Sequence, residues 1–194
     1  MTAEERIFSI VRGGLYAKLP SLALPLGRLT CREGDVDPAG TDGEAAVFAP
    51  GLLRREFLAE SDLPERLTLH LLLHLMLGHP WGRQGRAQTL WDTACDLAVG
   101  LVRHALLPQE PETPAAFSAR CKLQARRAVR APAIYALLLE QPDALTAEEQ
   151  AAFHLDDHRL WQLSASASEP KTADGGAETG WQALGRKLPD PLPP

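Results

Sequence analysis

The chain lacks the features that would place it in several large functional classes. Lys and Arg number 20 against 25 Asp and Glu, a net charge of −5, so there is no global positive field to hold a phosphate backbone. Nucleic acid is therefore not an expected partner. Only three cysteines are present, Cys31, Cys95 and Cys121, far apart and with no Cys-x-x-Cys pair, which excludes a cysteine zinc cluster or a thiol-exchange motif. Unpatterned thiols of this kind suit a reducing, cytoplasmic setting. The N-terminus carries Glu4 and Glu5 where a signal peptide would be basic. The most apolar run, Leu67 to Leu77, is broken by His70 and His74 and falls short of the roughly 20 residues a membrane span needs, so no membrane association is expected. No internal repeat is visible.

What is present is enough apolar material, 45% of 194 residues, to bury a core. Helical spacing of Ile7, Ile10, Val11 and Leu15 predicts a helix over 3–17, with Gly13-Gly14 as a point where it ends or bends. Leu19 to Pro25 reads as a proline-punctuated connector. Arg28 to Arg32 and Ala45 to Phe48 are short β-prone runs expected to form a small antiparallel pair. A helix is expected from Pro50 to about Leu58. The next should be capped by Ser61, carry Pro64 in its first turn and stop at Gly78 and Pro80.

Further helices are expected over Thr89–Leu107, Ala115–Val129, Pro132–Leu139 and from Thr146 toward Trp161. The basic residues between Arg120 and Arg130 read most simply as a solvated face. Ser164 to Thr179 has linker composition, Trp181 to Leu188 fits a last short helix, and Pro189 to Pro194 is a tail. The expected fold class is mainly α, of α+β type, with a small β element before one central helix. The domain reading is 1–163 as one functional domain and 164–194 as linker, short helix and proline-rich tail.

The residues with chemistry to offer stand on that central helix, in Leu69-His70-Leu71-Leu72-Leu73-His74-Leu75-Met76-Leu77-Gly78-His79-Pro80. Residues four apart on a helix lie one above the other, so His70 and His74 can turn ring nitrogens to one point, as a tetrahedral metal asks of two ligands. Asp96 on the following helix is the best candidate for a third ligand. Asp92, a turn earlier, is placed to orient a histidine ring. His79 competes, either as a ligand or as a cap on the last carbonyls. The plainer alternative is a pair of hydrogen-bonded core histidines. His154 and His158 are also four apart, but with acidic neighbours they read as a solvated helix face.

Taken in order, several segments resemble those of a bacterial family of zinc metallopeptidases that often carry a von Willebrand factor A-like domain after the peptidase-like part. Thr41-Asp42-Gly43 with Val47-Phe48-Ala49-Pro50 resembles the segment before that family's metal helix. His70, His74, His79 and Pro80 match its His-Glu-x-x-His and later His-Pro pattern. Trp91 to Asp96 matches a Trp-x-x-Ala-x-Asp helix, Ile134-Tyr135 with Leu138 an Ile-Tyr-x-x-Leu segment, and Asp156-Asp157-His158 with Trp161 a later mark. The resemblance covers about residues 40 to 165.

It implies a zincin-like helical domain, zinc on His70 and His74 with Asp96 as third ligand, and a protein or peptide partner, an AAA-type ATPase among those implied. Two departures stand out. Leu71 occupies the place of the catalytic glutamate, and Gly100 that of a common asparagine. The von Willebrand factor A-like domain is expected to be absent, since the chain stops soon after Trp181. A leucine cannot accept the proton of a metal-bound water or return it to a leaving amine. The function expected is thus a degenerate metallopeptidase-like domain that keeps zinc and serves as a scaffold or peptide-binding module. One alternative is an active zinc hydrolase with a substitute base, His79 or Asp92. The other is a metal-free helical interaction protein.

Overall fold

The computed structural model describes residues 2–107, 116–117, 130–161 and 176–186. The chain divides into two compact units, Met1–Gly82 with Asp156–Leu188, and Arg83–Leu155 with Pro189–Pro194. The class is as expected, mainly helical with one small sheet. Among the described residues no helix is long and apolar enough to cross a membrane.

The first unit opens with α1, Ala3–Lys18, closed at its start by a reciprocal bond pair between Thr2 and Glu5. It buries Ile7, Phe8, Val11 and Leu15, and it runs through Gly13-Gly14 without ending there. Gly14 is a contact: a side chain at this position would strike the Glu65 carboxylate, which pairs with Lys18. The expected connector instead folds into a 3-10 turn, Pro20–Leu22, and a short helix α2, Ala23–Arg28. Prolines fit there because they sit in first turns, where no N–H is needed.

The small sheet differs from the expected pair. Thr30–Glu33 (β1) and Ala45–Phe48 (β3) lie side by side, but parallel. Antiparallel pairing comes from a third strand, β2, Ala39–Thr41, giving the order β1-β3-β2. The reason lies in the connection: the chain leaves β1, crosses to the far edge as β2, then turns and inserts β3 between the two. The Asp42-Gly43 turn makes that reversal. Asp42 Oδ1 accepts from the N–H groups of Glu44 and Ala45 at 2.9 Å each, and Gly43 takes a φ of 95°. All of β3 is buried, as a central strand of Ala-Ala-Val-Phe should be.

Gly51, in the left-handed region, precedes α3, Leu52–Leu58. Helix α4, Leu63–Leu77, has Asp62 and not Ser61 at its N-cap, without a capping side-chain bond; the Ser61 hydroxyl accepts from the Leu63 N–H at 3.1 Å one residue outside, while Pro64 in the first turn and the end at Gly78, φ 73°, are as expected. Unlike a surface helix it is buried on every side from Leu67 to Met76. It packs against α1, α3, the sheet and a last helix, α8, Gly176–Gly185. That helix begins earlier than expected, inside the stretch taken for linker, because Trp181 is buried with the Arg28 guanidinium 4.8 Å above its ring. Residues 164–175 and the Pro189–Pro194 tail lie outside the described residues.

In the second unit α5, Gln88–Leu106, packs against α6, Ala131–Glu140, and α7, Ala147–Phe153. Trp91, Leu97, Ile134, Leu138 and Phe153 fill its interior. The Tyr135 hydroxyl accepts from the Ala87 N–H at 3.1 Å, and Arg86 lies over the rings of both Trp91 and Tyr135. The helix expected over Ala115–Val129 lies outside the described residues except for Ala116 and Phe117. Thr146 and Glu149 form the capping pair of α7. That helix stops at Phe153 and does not run on toward Trp161; His154 is already extended. The acidic and polar run after Phe153 offers no apolar face to keep a helix in place.

Candidate metal centre

The all-round burial of α4 sets the problem its histidines must solve. His70 and His74 are both fully buried among leucines, where an imidazole needs partners. Spaced one turn apart, their rings meet edge to face at 4.6 Å, with the two Nε2 atoms 2.9 Å apart. The third member of the group is Asp156, which the sequence did not single out. Its Oδ1 lies 2.9 Å from His70 Nε2 and 3.6 Å from His74 Nε2. These three atoms form a triangle inside the first unit.

Two more histidines complete the surroundings. The 3-10 turn His79–Trp81, launched by Gly78, brings His79 Nδ1 to 3.0 Å from His74 Nδ1. His158 Nε2 lies 3.0 Å from the same Asp156 Oδ1. The expectation of a solvated face for His158 is thus overturned: the residue is buried, because α7 ends early and the chain returns to the first unit at Asp156. Its ring stacks on Trp161 at 3.8 Å. Burial by itself would raise the Asp156 carboxyl, but the positive charge available on His158, His74 and His70, with the His158 hydrogen bond, holds it well below its ordinary value.

This donor set fits a metal ion. A neutral imidazole carries a single N–H, so two Nε2 atoms at 2.9 Å share one proton at most, while Asp156 Oδ1 faces three ring nitrogens. A cation accepts the lone pairs of His70 Nε2, His74 Nε2 and Asp156 Oδ1 at once. Metal–ligand bonds of about 2.0–2.1 Å in a tetrahedron put donor atoms about 3.3 Å apart. The observed edges, 2.9, 2.9 and 3.6 Å, bracket that value. Asp156 Oδ2 is buried and has no hydrogen-bond partner among the described residues, as an oxygen held for a metal would. Were an ion held by both Nε2 atoms, the His74 proton would sit on Nδ1, within hydrogen-bond reach of His79 Nδ1. That contact sets His79 against the His74 ring.

The two expected acidic residues of α5 belong to the second unit. Asp96 is buried, with His154 Nδ1 at 2.9 Å from its Oδ2. Asp92 is half-buried and accepts from the Gln88 amide through both oxygens, at 2.7 and 2.8 Å. His154 keeps a side chain 59% exposed, consistent with the solvated reading for that residue.

Compared with known protein families, residues 13–183 match the model whose description is "Putative metallopeptidase domain". The chain belongs to this family. No curated protein and no solved structure matches it. Within this metallopeptidase-family chain the two departures now have surroundings. Leu71 is fully buried in the middle of α4, directly after the first metal-directed histidine. Gly100 on α5 has no space for asparagine, since any Cβ there would run into the Phe153 ring. Metal binding is thus supported by the family and by the buried donor cluster together.

Proposed function

We propose that the chain is a zinc-binding metallopeptidase-family domain that does not turn over peptides and works as a scaffold or peptide-binding module. The observation that carries it is the convergence of His70 Nε2, His74 Nε2 and Asp156 Oδ1 in a pocket whose neighbouring base position is Leu71. Two imidazoles and one carboxylate are a ligand set that suits zinc. Bound there, zinc would supply Lewis acidity and a water of lowered pKa.

Whether that chemistry becomes turnover is decided by the chain's own residues. His70 and His74 would hold the ion through Nε2, His79 would fix the tautomer of His74, and Asp156 would balance charge. At the position directly after His70, where the family pattern has its proton-accepting glutamate, Leu71 offers only hydrocarbon. A general base is typically worth about 10²–10⁴ in rate. A protein or peptide partner, an AAA-type ATPase included, and a cytoplasmic setting belong to the same reading, the latter supported by Cys31 and Cys95 remaining as thiols.

The test pairs elemental analysis with an activity assay. Purified full chain, equilibrated with zinc and desalted, should retain the metal stoichiometrically, lose it on His70→Ala or His74→Ala, and leave a peptide library uncut. A protein without zinc rejects the metal; zinc-dependent cleavage by the wild type rejects the inactive reading in favour of a substitute base.

A further inference from the structure

We infer that His158, braced by Trp161, is the positioning residue that presents Asp156 to the metal, an assignment that rests on the metal-binding reading above. A carboxylate on a short chain segment can rotate both oxygens out of line, so a ligating Asp needs something to fix it. Here His158, two residues on, donates its Nε2 proton to Asp156 Oδ1 at 3.0 Å. The imidazole is itself fixed, stacked on the Trp161 indole at 3.8 Å with only 19° between the planes. The Trp161 backbone N–H bonds to the His158 carbonyl at 3.1 Å, closing the turn that holds the two rings together. Trp161 also packs against His74, with ring centroids 5.0 Å apart, so one indole backs both the carboxylate arm and the helix arm of the site.

The segment is anchored from its other side as well. Asp157 donates its N–H to the Ala39 carbonyl at 2.7 Å and bridges Gly40 of β2. Gly40 is required for that approach, since a Cβ there would lie 2.5 Å from the Asp157 carbonyl oxygen. The Asp157 carboxylate takes the Arg159 guanidinium and backbone N–H. Asp157 is therefore committed to the sheet and to Arg159, which leaves Asp156 for the histidines. Because the His158 Nε2 proton is given to Asp156, His158 acts through the carboxylate and is not a ligand itself.

The experiment measures zinc affinity of the full chain by competition with a chromophoric chelator, and records the visible spectrum of the cobalt(II)-substituted protein. His158→Ala should weaken binding by about 10–100-fold while stoichiometry and the cobalt band pattern stay as in the wild type. His158→Gln, which keeps an N–H donor, should recover most of that loss. Circular dichroism of each chelated variant checks that the fold persists. Unchanged affinity in His158→Ala overturns this inference alone, as does a changed cobalt ligand field, which would make His158 a ligand. A wild type that takes up no zinc overturns the metal-binding reading together with this inference.

Discussion

Replacing Leu71 by Glu puts a carboxyl group at the one position where the metal helix has hydrocarbon instead of a base. Leu71 is fully buried, so the substitution forfeits about 1.5–3 kcal/mol of leucine burial. An unpaired polar group at such a place costs about a further 1–3 kcal/mol. The chelated variant should thus be about 2.5–6 kcal/mol less stable than the wild type, a large part of the roughly 5–15 kcal/mol a domain possesses. Leu71→Gln incurs similar losses but cannot accept a proton, and so serves as the control. With zinc, Leu71→Glu should cleave fluorogenic peptides about 10²–10⁴ faster than Leu71→Gln or the wild type. Denaturant titration of the chelated proteins reads the first effect, and a zinc-dependent peptide assay the second. Zinc-dependent wild-type cleavage as fast as that of Leu71→Glu would refute the reasoning about the base. Equal stability of all three chelated proteins would refute the assignment of residue 71 to the interior.

Three other outcomes are expected from the packing and the charges. Gly100→Asn should destabilise by about 1–3 kcal/mol, because its Cβ must displace the Phe153 ring; a thermal melt should fall by about 2–4 °C per kcal/mol, and an unchanged melt contradicts the contact. Burial pushes the Asp42 carboxyl up, but the Ala45 and Glu44 N–H groups and Arg32 outweigh it and hold it below 3.8. A depressed carboxylate adds stability above its unfolded value and loses it as pH falls through the folded one, so the stability advantage over Asp42→Asn should be constant near neutrality, begin to shrink near pH 3.8 and be gone only once the folded carboxyl is itself protonated at lower pH. A gap independent of pH contradicts this. Trp181→Ala should cost about 3–5 kcal/mol by denaturant titration, since the ring is buried; a loss below about 1 kcal/mol would mean that α8 does not complete the first unit's core.

The metal helix was legible because every local signal agreed. Ser61, Pro64, Gly78 and Pro80 mark its ends, and its leucines and paired histidines mark its interior. Strand β2 was not legible: Ala39-Gly40-Thr41 has little β propensity, and it becomes a strand only because β3 pairs with it. The same dependence on distant partners made the parallel register of β1 unreadable. Asp156 is the main omission at the site. Its importance comes from the chain's return at Asp156 after the whole second unit, a long-range fact that periodicity does not record. The sole sequence sign was the resemblance of Asp156-Asp157-His158 with Trp161 to a family mark, which carried no role by itself. His158 was misread because a four-residue spacing was taken for a helix, whereas α7 had already ended at Phe153.

The most direct measurement is anomalous diffraction at the zinc absorption edge from crystals of the zinc-equilibrated full chain. A strong peak bounded by His70 Nε2, His74 Nε2 and the Asp156 carboxylate is predicted, and its loss in His74→Ala crystals. No peak at those atoms, or an undiminished one without His74, would contradict the account.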